Sequence, residues 1–205
     1  MINEIIFALQ QLVVLSLIPF LVYIIRYKTT RGFFDYIGLK PSNRKANLLA
    51  LLIVLILALP VILLSTFNAE FKAIVTHPDS VTGKFWEMGF SAEAMAMILV
   101  AALIKTSLAE EIFFRGFIAK RLIAGLGFQV GNALQAFIFG AIHTLVFMSI
   151  SNNALFLFVI FLFPALGAWF KAYLNERVAD GSIVPGWIAH GLSNVLAYTS
   201  IGFLL

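Results

Sequence analysis

Glu110, Glu111 and Arg115 share one apolar stretch of this 205-residue sequence. His143 lies in a second stretch, and His190 and Asn194 in a third. Their neighbours are mostly Ala, Leu, Ile, Val, Phe and Gly, so each charge there needs a partner or a use. On insertion scales Asp, Lys or Arg at the centre of a membrane helix costs roughly 2.5–3.5 kcal/mol. Glu111 and Arg115 are four residues apart, which puts them on one helix face within pairing reach. Glu110 is turned by about 100° from that face. One carboxylate is therefore expected to be structural and the other free for chemistry. His190 and Asn194 are also four apart and share a face. A carboxylate beside an imidazole can take a proton from water as a general base. An imidazole and a carboxamide pointing at one place can donate hydrogen bonds to a developing oxyanion. Glu110, His143 and His190 are also a set that can hold Zn²⁺ with one position open.

Two blander readings compete. Membrane helices use His, Asn and Glu–Arg pairs as interhelical glue. Transporters gather carboxylates and histidines near the midplane, although internal repeats and paired broken helices are absent here. Other hydrolase signatures are missing. There is no HExxH helix and no GxSxG elbow. The sequence has no cysteine, which removes thiolate metal sites and cysteine nucleophiles. Thr106, Ser107 and Ser193 have no base singled out for them.

These residues must be positioned by membrane helices. Hydrophobic residues make up 61% of the chain and charged ones 12%, against roughly 25% charged in soluble domains. The apolar residues come in blocks long enough to cross a bilayer. We expect an all-α polytopic bundle of about six transmembrane helices, at 5–25, 46–67, 92–118, 132–150, 154–173 and 183–204, forming one integral membrane domain over 1–205. Pro19, Pro60 and Pro164 should kink their spans. The N-terminal segment has no basic n-region and reads as a retained helix. Residues 27–45 mix aromatics with basic residues, as an interfacial segment or an ordinary loop would. Residues 68–91 suggest a cap on the opposite side.

Eleven of the fourteen Lys and Arg residues fall on one side of this six-span arrangement. They include Lys120, Arg121, Lys171 and Arg177. The positive-inside rule makes that side cytoplasmic and puts both termini outside. At 1.5 Å per residue, Glu110, His143, His190 and Asn194 then lie roughly 14, 16, 10 and 16 Å from the cytoplasmic edge. Three helices thus bring carboxylate, imidazole and amide to similar depth. Lys105 is also deep in its span, where it must pair with a carboxylate or face a wet cavity. No basic tail or aromatic-basic pattern suggests nucleic acid.

Glu110-Glu111-Ile112-Phe113-Phe114-Arg115 resembles the EExxxR motif of the CAAX-protease/bacteriocin-processing (Abi) family of intramembrane proteases. Phe139-Gly140-Ala141-Ile142-His143 resembles its FxxxH motif, and His190-Gly191-Leu192-Ser193-Asn194 its HxxxN motif. They occur in the family's order, one per span, within a core at 92–204. The resemblance implies an intramembrane endopeptidase related to the prenyl-protein CAAX endopeptidases. Glu110 and His143 would activate water, and His190 and Asn194 would stabilise the oxyanion. Glu111, Arg115 and Phe139 would support the site. Glu/His chemistry alone and Zn²⁺ on Glu110, His143 and His190 both fit the motifs. Partners would be membrane lipid and a protein or peptide substrate, lipidated or apolar at its end. Within the family a non-catalytic bacteriocin-immunity or interaction role is the rival. The short, cysteine-free architecture suggests a plasma membrane location.

Overall fold

The structure is a computed structural model and describes residues 2–205. Every regular element among them is helical. In chain order these are α1 (Ile2–Tyr27), α2 (Phe33–Ile37), α3 (Arg44–Phe67), α4 (Ala69–Val75), α5 (Val81–Met88), α6 (Ala92–Val100), α7 (Lys120–Phe147), α8 (Ala154–Tyr173) and α9 (Val184–Thr199). Wider π-helical turns cover Ala101–Leu108, Glu111–Ala119, Leu174–Val178 and Ser200–Leu204. Side chains set several starts. Asn43, Asn68, Ser80, Ser91 and Asn153 each accept a hydrogen bond from the backbone N–H three residues on, as N-caps do.

Four stretches are long and apolar enough to cross a membrane: Ile2–Tyr27, Arg44–Phe67, Ala92–Phe147 and Ala154–Val178. The third is a hairpin. Gly127 takes φ 77° and ψ 165° inside it, a conformation that favours glycine. The rings of Phe114 and Phe139 meet at 4.9 Å, whereas an unbroken helix would separate these residues by about 38 Å. Its two limbs, together with α9 and the π turn after it, are compatible with the six spans expected from sequence. Pro19, Pro60 and Pro164 lie inside α1, α3 and α8.

Small residues let the inner helices approach. Ala46, Ala50, Val54 and Ala58 form the buried stripe of α3, and α3 packs on α9. Closely packed membrane helices use such stripes in place of a hydrophobic driving force. On α7 a Cβ at Gly140 would come within 2.6 Å of the Phe161 carbonyl oxygen of α8. Gln135 adds a polar tie between these helices, donating to Asn132 at 2.8 Å and to the Ala168 carbonyl at 3.1 Å.

The two longer connections are folded. Within residues 27–45, α2 buries Phe33 and Ile37 against Tyr23 and Ile112. The Ile37 carbonyl oxygen lies so close to Gly116 that a Cβ there would meet it at 2.6 Å. Within residues 68–91, α4 and α5 bury Phe71 and Phe85 and leave Phe90 exposed. Lys105 has a carboxylate partner: its Nζ is 3.4 Å from Glu4 Oε2. Gln11 donates to the Lys105 carbonyl at 3.0 Å, so α1 grips the first π segment at two points.

Candidate active site

Two π-wound segments, Ala101–Leu108 and Glu111–Ala119, bracket Glu110, and the second carries Glu111. Hydrogen bonds from i to i+5 widen each turn, and such turns often mark functional sites in membrane and soluble helices alike. Here both carboxylates reach the same ring on α9. Glu111 Oε1 lies 3.0 Å from His190 Nδ1, and Glu110 Oε2 lies 3.9 Å from His190 Nε2. His190 is therefore flanked by a carboxylate at each ring nitrogen.

Glu111 is the more enclosed of the two, with no solvent exposure. Its Oε1 also carries two cations, Lys171 Nζ at 3.1 Å and Arg115 Nη1 at 3.4 Å. A buried carboxylate needs such compensation, because desolvation is costly unless the charge is paired. The Arg115 guanidinium lies over the face of Phe139, 4.1 Å from its centroid, and the Lys171 ammonium is 5.4 Å from the same centroid. Gly186 makes room for this cluster. A Cβ there would come within 2.8 Å of Glu111 Oε2 and 2.6 Å of Asn175 Nδ2. Glu110 Oε2 is shielded and accepts no hydrogen bond from the described residues.

Phe139 is the hub of the site. The His143 ring packs on it at 4.3 Å and the His190 ring at 6.3 Å. His143 Nδ1 is 2.8 Å from the Phe139 carbonyl oxygen. A carbonyl only accepts, so Nδ1 carries the proton and Nε2 presents a lone pair. By the same reasoning His190 Nδ1 donates to Glu111. Asn194, one turn beyond His190, donates from Nδ2 to Thr106 Oγ1 at 3.0 Å.

Glu110, Glu111, Arg115, His190 and Phe139 thus stand together. His143 joins them through Phe139, without a hydrogen bond or ion pair to Glu110 or His190 among the described residues. Asn194 reaches the first π segment. Lys171 is expected from sequence among the basic residues at the cytoplasmic end of the fifth span, yet it is 2% exposed and sits on Glu111. The signal that could have found it is helical spacing. Lys171 lies three residues after Ala168, on the face of α8 that packs against Phe139.

Zn²⁺ does not fit this arrangement as it stands. Among the described residues no group of three His, Cys, Asp or Glu side chains is placed to hold a metal ion. Phe139 packs against both histidines, and Lys171 and Arg115 bring positive charge to the adjoining carboxylate.

Buried, mutually compensated charge among helices that cross a bilayer defines an integral membrane protein with an enzyme-like centre. The sequence profile described as Rce1-like, Type II CAAX prenyl endopeptidase Rce1-like, matches residues 92–196, just over half the chain. The chain belongs to that family, which makes it a membrane endopeptidase by class, with a protein as the class of substrate. No curated protein and no solved structure matches it.

Proposed function

We propose that this chain is a glutamate-type intramembrane endopeptidase that cleaves a peptide bond near the carboxyl end of a lipidated protein. The observation that carries the reading is Glu110 Oε2, which is shielded, free of protein hydrogen bonds and 3.9 Å from His190 Nε2. A carboxylate in that state is placed to accept a proton from water. His143 offers a lone pair at Nε2 and helps to orient the same water.

The chemistry runs in two steps. Glu110 takes a proton as the water oxygen bonds to the scissile carbonyl carbon, and the carbonyl oxygen becomes an oxyanion. Asn194 Nδ2–H and His190 Nε2–H donate to that oxyanion. His190 donates from Nε2 only with both nitrogens protonated, a state that Glu110 and Glu111 favour and that Lys171 and Arg115 oppose. The C–N bond then breaks, and the proton on Glu110 passes to the leaving nitrogen. General-base catalysis contributes typically about 10²–10⁴ in rate. Glu111 holds the His190 ring at Nδ1, and Arg115 and Lys171 in turn hold Glu111. No step runs through a metal.

The one-sided distribution of basic residues supports an orientation with both termini outside the cell and the site in the cytoplasmic half of the plasma membrane. The test is hydrolysis of a farnesylated CAAX peptide by the protein in lipid nanodiscs. Wild type should cleave it, and Glu110→Gln should abolish turnover while keeping the wild-type melting curve. A folded wild type that leaves farnesylated and unmodified peptides intact would make the chain a non-catalytic interaction protein.

A further inference from the structure

Thr106 has no role in the chemistry above, yet it is the one hydrogen-bond partner of Asn194 among the described residues. Its hydroxyl proton is committed to its own helix. Thr106 Oγ1 is 2.9 Å from the Ala101 carbonyl oxygen and 3.3 Å from that of Ala102. Carbonyls only accept, so the hydroxyl donates to the backbone and keeps its lone pairs for side chains. Asn194 must therefore present Nδ2 and not Oδ1 to Thr106. The Tyr198 hydroxyl is a second side-chain neighbour of Thr106.

We propose that Thr106 is a positioning residue that fixes which end of the Asn194 carboxamide faces the reacting carbonyl. This rests on the reading of Asn194 as an oxyanion donor. A carboxamide has nearly the same shape whichever way it is turned. One orientation gives the oxyanion an N–H donor and the other gives it a carbonyl oxygen, which repels it. With one Nδ2–H spent on Thr106, the second remains for the oxyanion, and Oδ1 is turned away. The π winding matters here, because it leaves the i−5 carbonyl of Ala101 as the nearer partner of the hydroxyl. The proton of Thr106 is thus engaged within its own helix, and the contact with Asn194 uses a lone pair.

The test compares Thr106→Val, Thr106→Ser, Asn194→Ala and the Thr106→Val/Asn194→Ala double variant, in nanodiscs with the farnesylated peptide. Thr106→Val should lower kcat about 5–10-fold with KM unchanged, the fold-change one neutral hydrogen bond supplies. Thr106→Ser should restore most of the loss. The double variant should be no slower than Asn194→Ala, since the two act as a unit. If Thr106→Val does not fold, Thr106→Ala serves in its place. Three results would overturn the proposal: full kcat in Thr106→Val beside an impaired Asn194→Ala, additive losses in the double variant, or a lowered melting temperature with kcat intact. Full kcat in Asn194→Ala would instead sink the reading of Asn194 as a donor, and this inference with it.

Discussion

His190 Nδ1 and Glu111 Oε1 are 3.0 Å apart, and this contact joins the π-wound segment to α9. The same oxygen also holds Lys171 of α8 and Arg115 of its own segment. Three helical segments therefore converge on a single carboxylate oxygen.

Removing that carboxylate's charge should unbalance the cluster. Glu111→Gln leaves Arg115 and Lys171 buried without their partner, and breaking a buried pair typically costs about 3–5 kcal/mol. We expect a marked loss of thermal stability, larger than in Glu110→Gln. Calorimetry or a thermal-shift series on the two variants measures it. Equal melting temperatures would show that the cations find compensation elsewhere.

Lys171→Met keeps the aliphatic stem of the side chain and deletes the charge. Glu111 then has Arg115 as its only permanent cation. The expected outcome is lower stability together with lower turnover, and Lys171→Arg should recover part of both. Wild-type behaviour in Lys171→Met would mean that the ammonium is not needed at Glu111.

His143 contributes through Nε2, so the replacement should keep the ring's packing on Phe139 without its lone pair. His143→Phe should lose about 10² in kcat, the scale at which a misplaced reactant costs rate. Peptide hydrolysis and a melting curve together distinguish this from loss of packing. A His143→Phe variant with full kcat would remove His143 from the reaction.

Activity should survive a strong chelator, and the purified protein should hold no stoichiometric zinc. Asn194→Asp puts negative charge where the oxyanion develops, and it should be as impaired as loss of an oxyanion donor, about 10²–10³ in kcat. Under a zinc mechanism aspartate is a competent ligand. Recovery of Asn194→Asp on adding Zn²⁺ would reverse the assignment.

Much of this site was legible because the motif residues are polar where polarity is costly. Spacing alone also indicated the Glu111–Arg115 pair, now seen at 3.4 Å. Three features were hidden. Side-chain propensity does not distinguish i+4 from i+5 winding, so the shared approach of Glu110 and Glu111 to His190 had no sequence signature. Lys171 reads from sequence as one of the basic residues at the cytoplasmic end of its span, because it lies two residues before the expected end at 173. The helix continues as a π turn through Val178 and carries the membrane-facing stretch past it. Thr106 carries no charge, and only the Ala101 carbonyl and Asn194 reveal its direction.

The order in which the chain is synthesised gives Glu111 a delayed reckoning. Its own segment brings only Arg115. Lys171 and His190 belong to helices made later, and Lys105 of the same limb reaches back to Glu4 of α1. While the nascent chain is still short of α8, Glu110 and Glu111 of this limb have not yet met two of the groups that accompany them, Lys171 and His190. It is a reluctant span, best lodged at the translocon until the later helices arrive. Biogenesis of this protein should therefore depend on its C-terminal third even for the insertion of its middle. Chains halted before residue 171 are the ones quality control should recognise first.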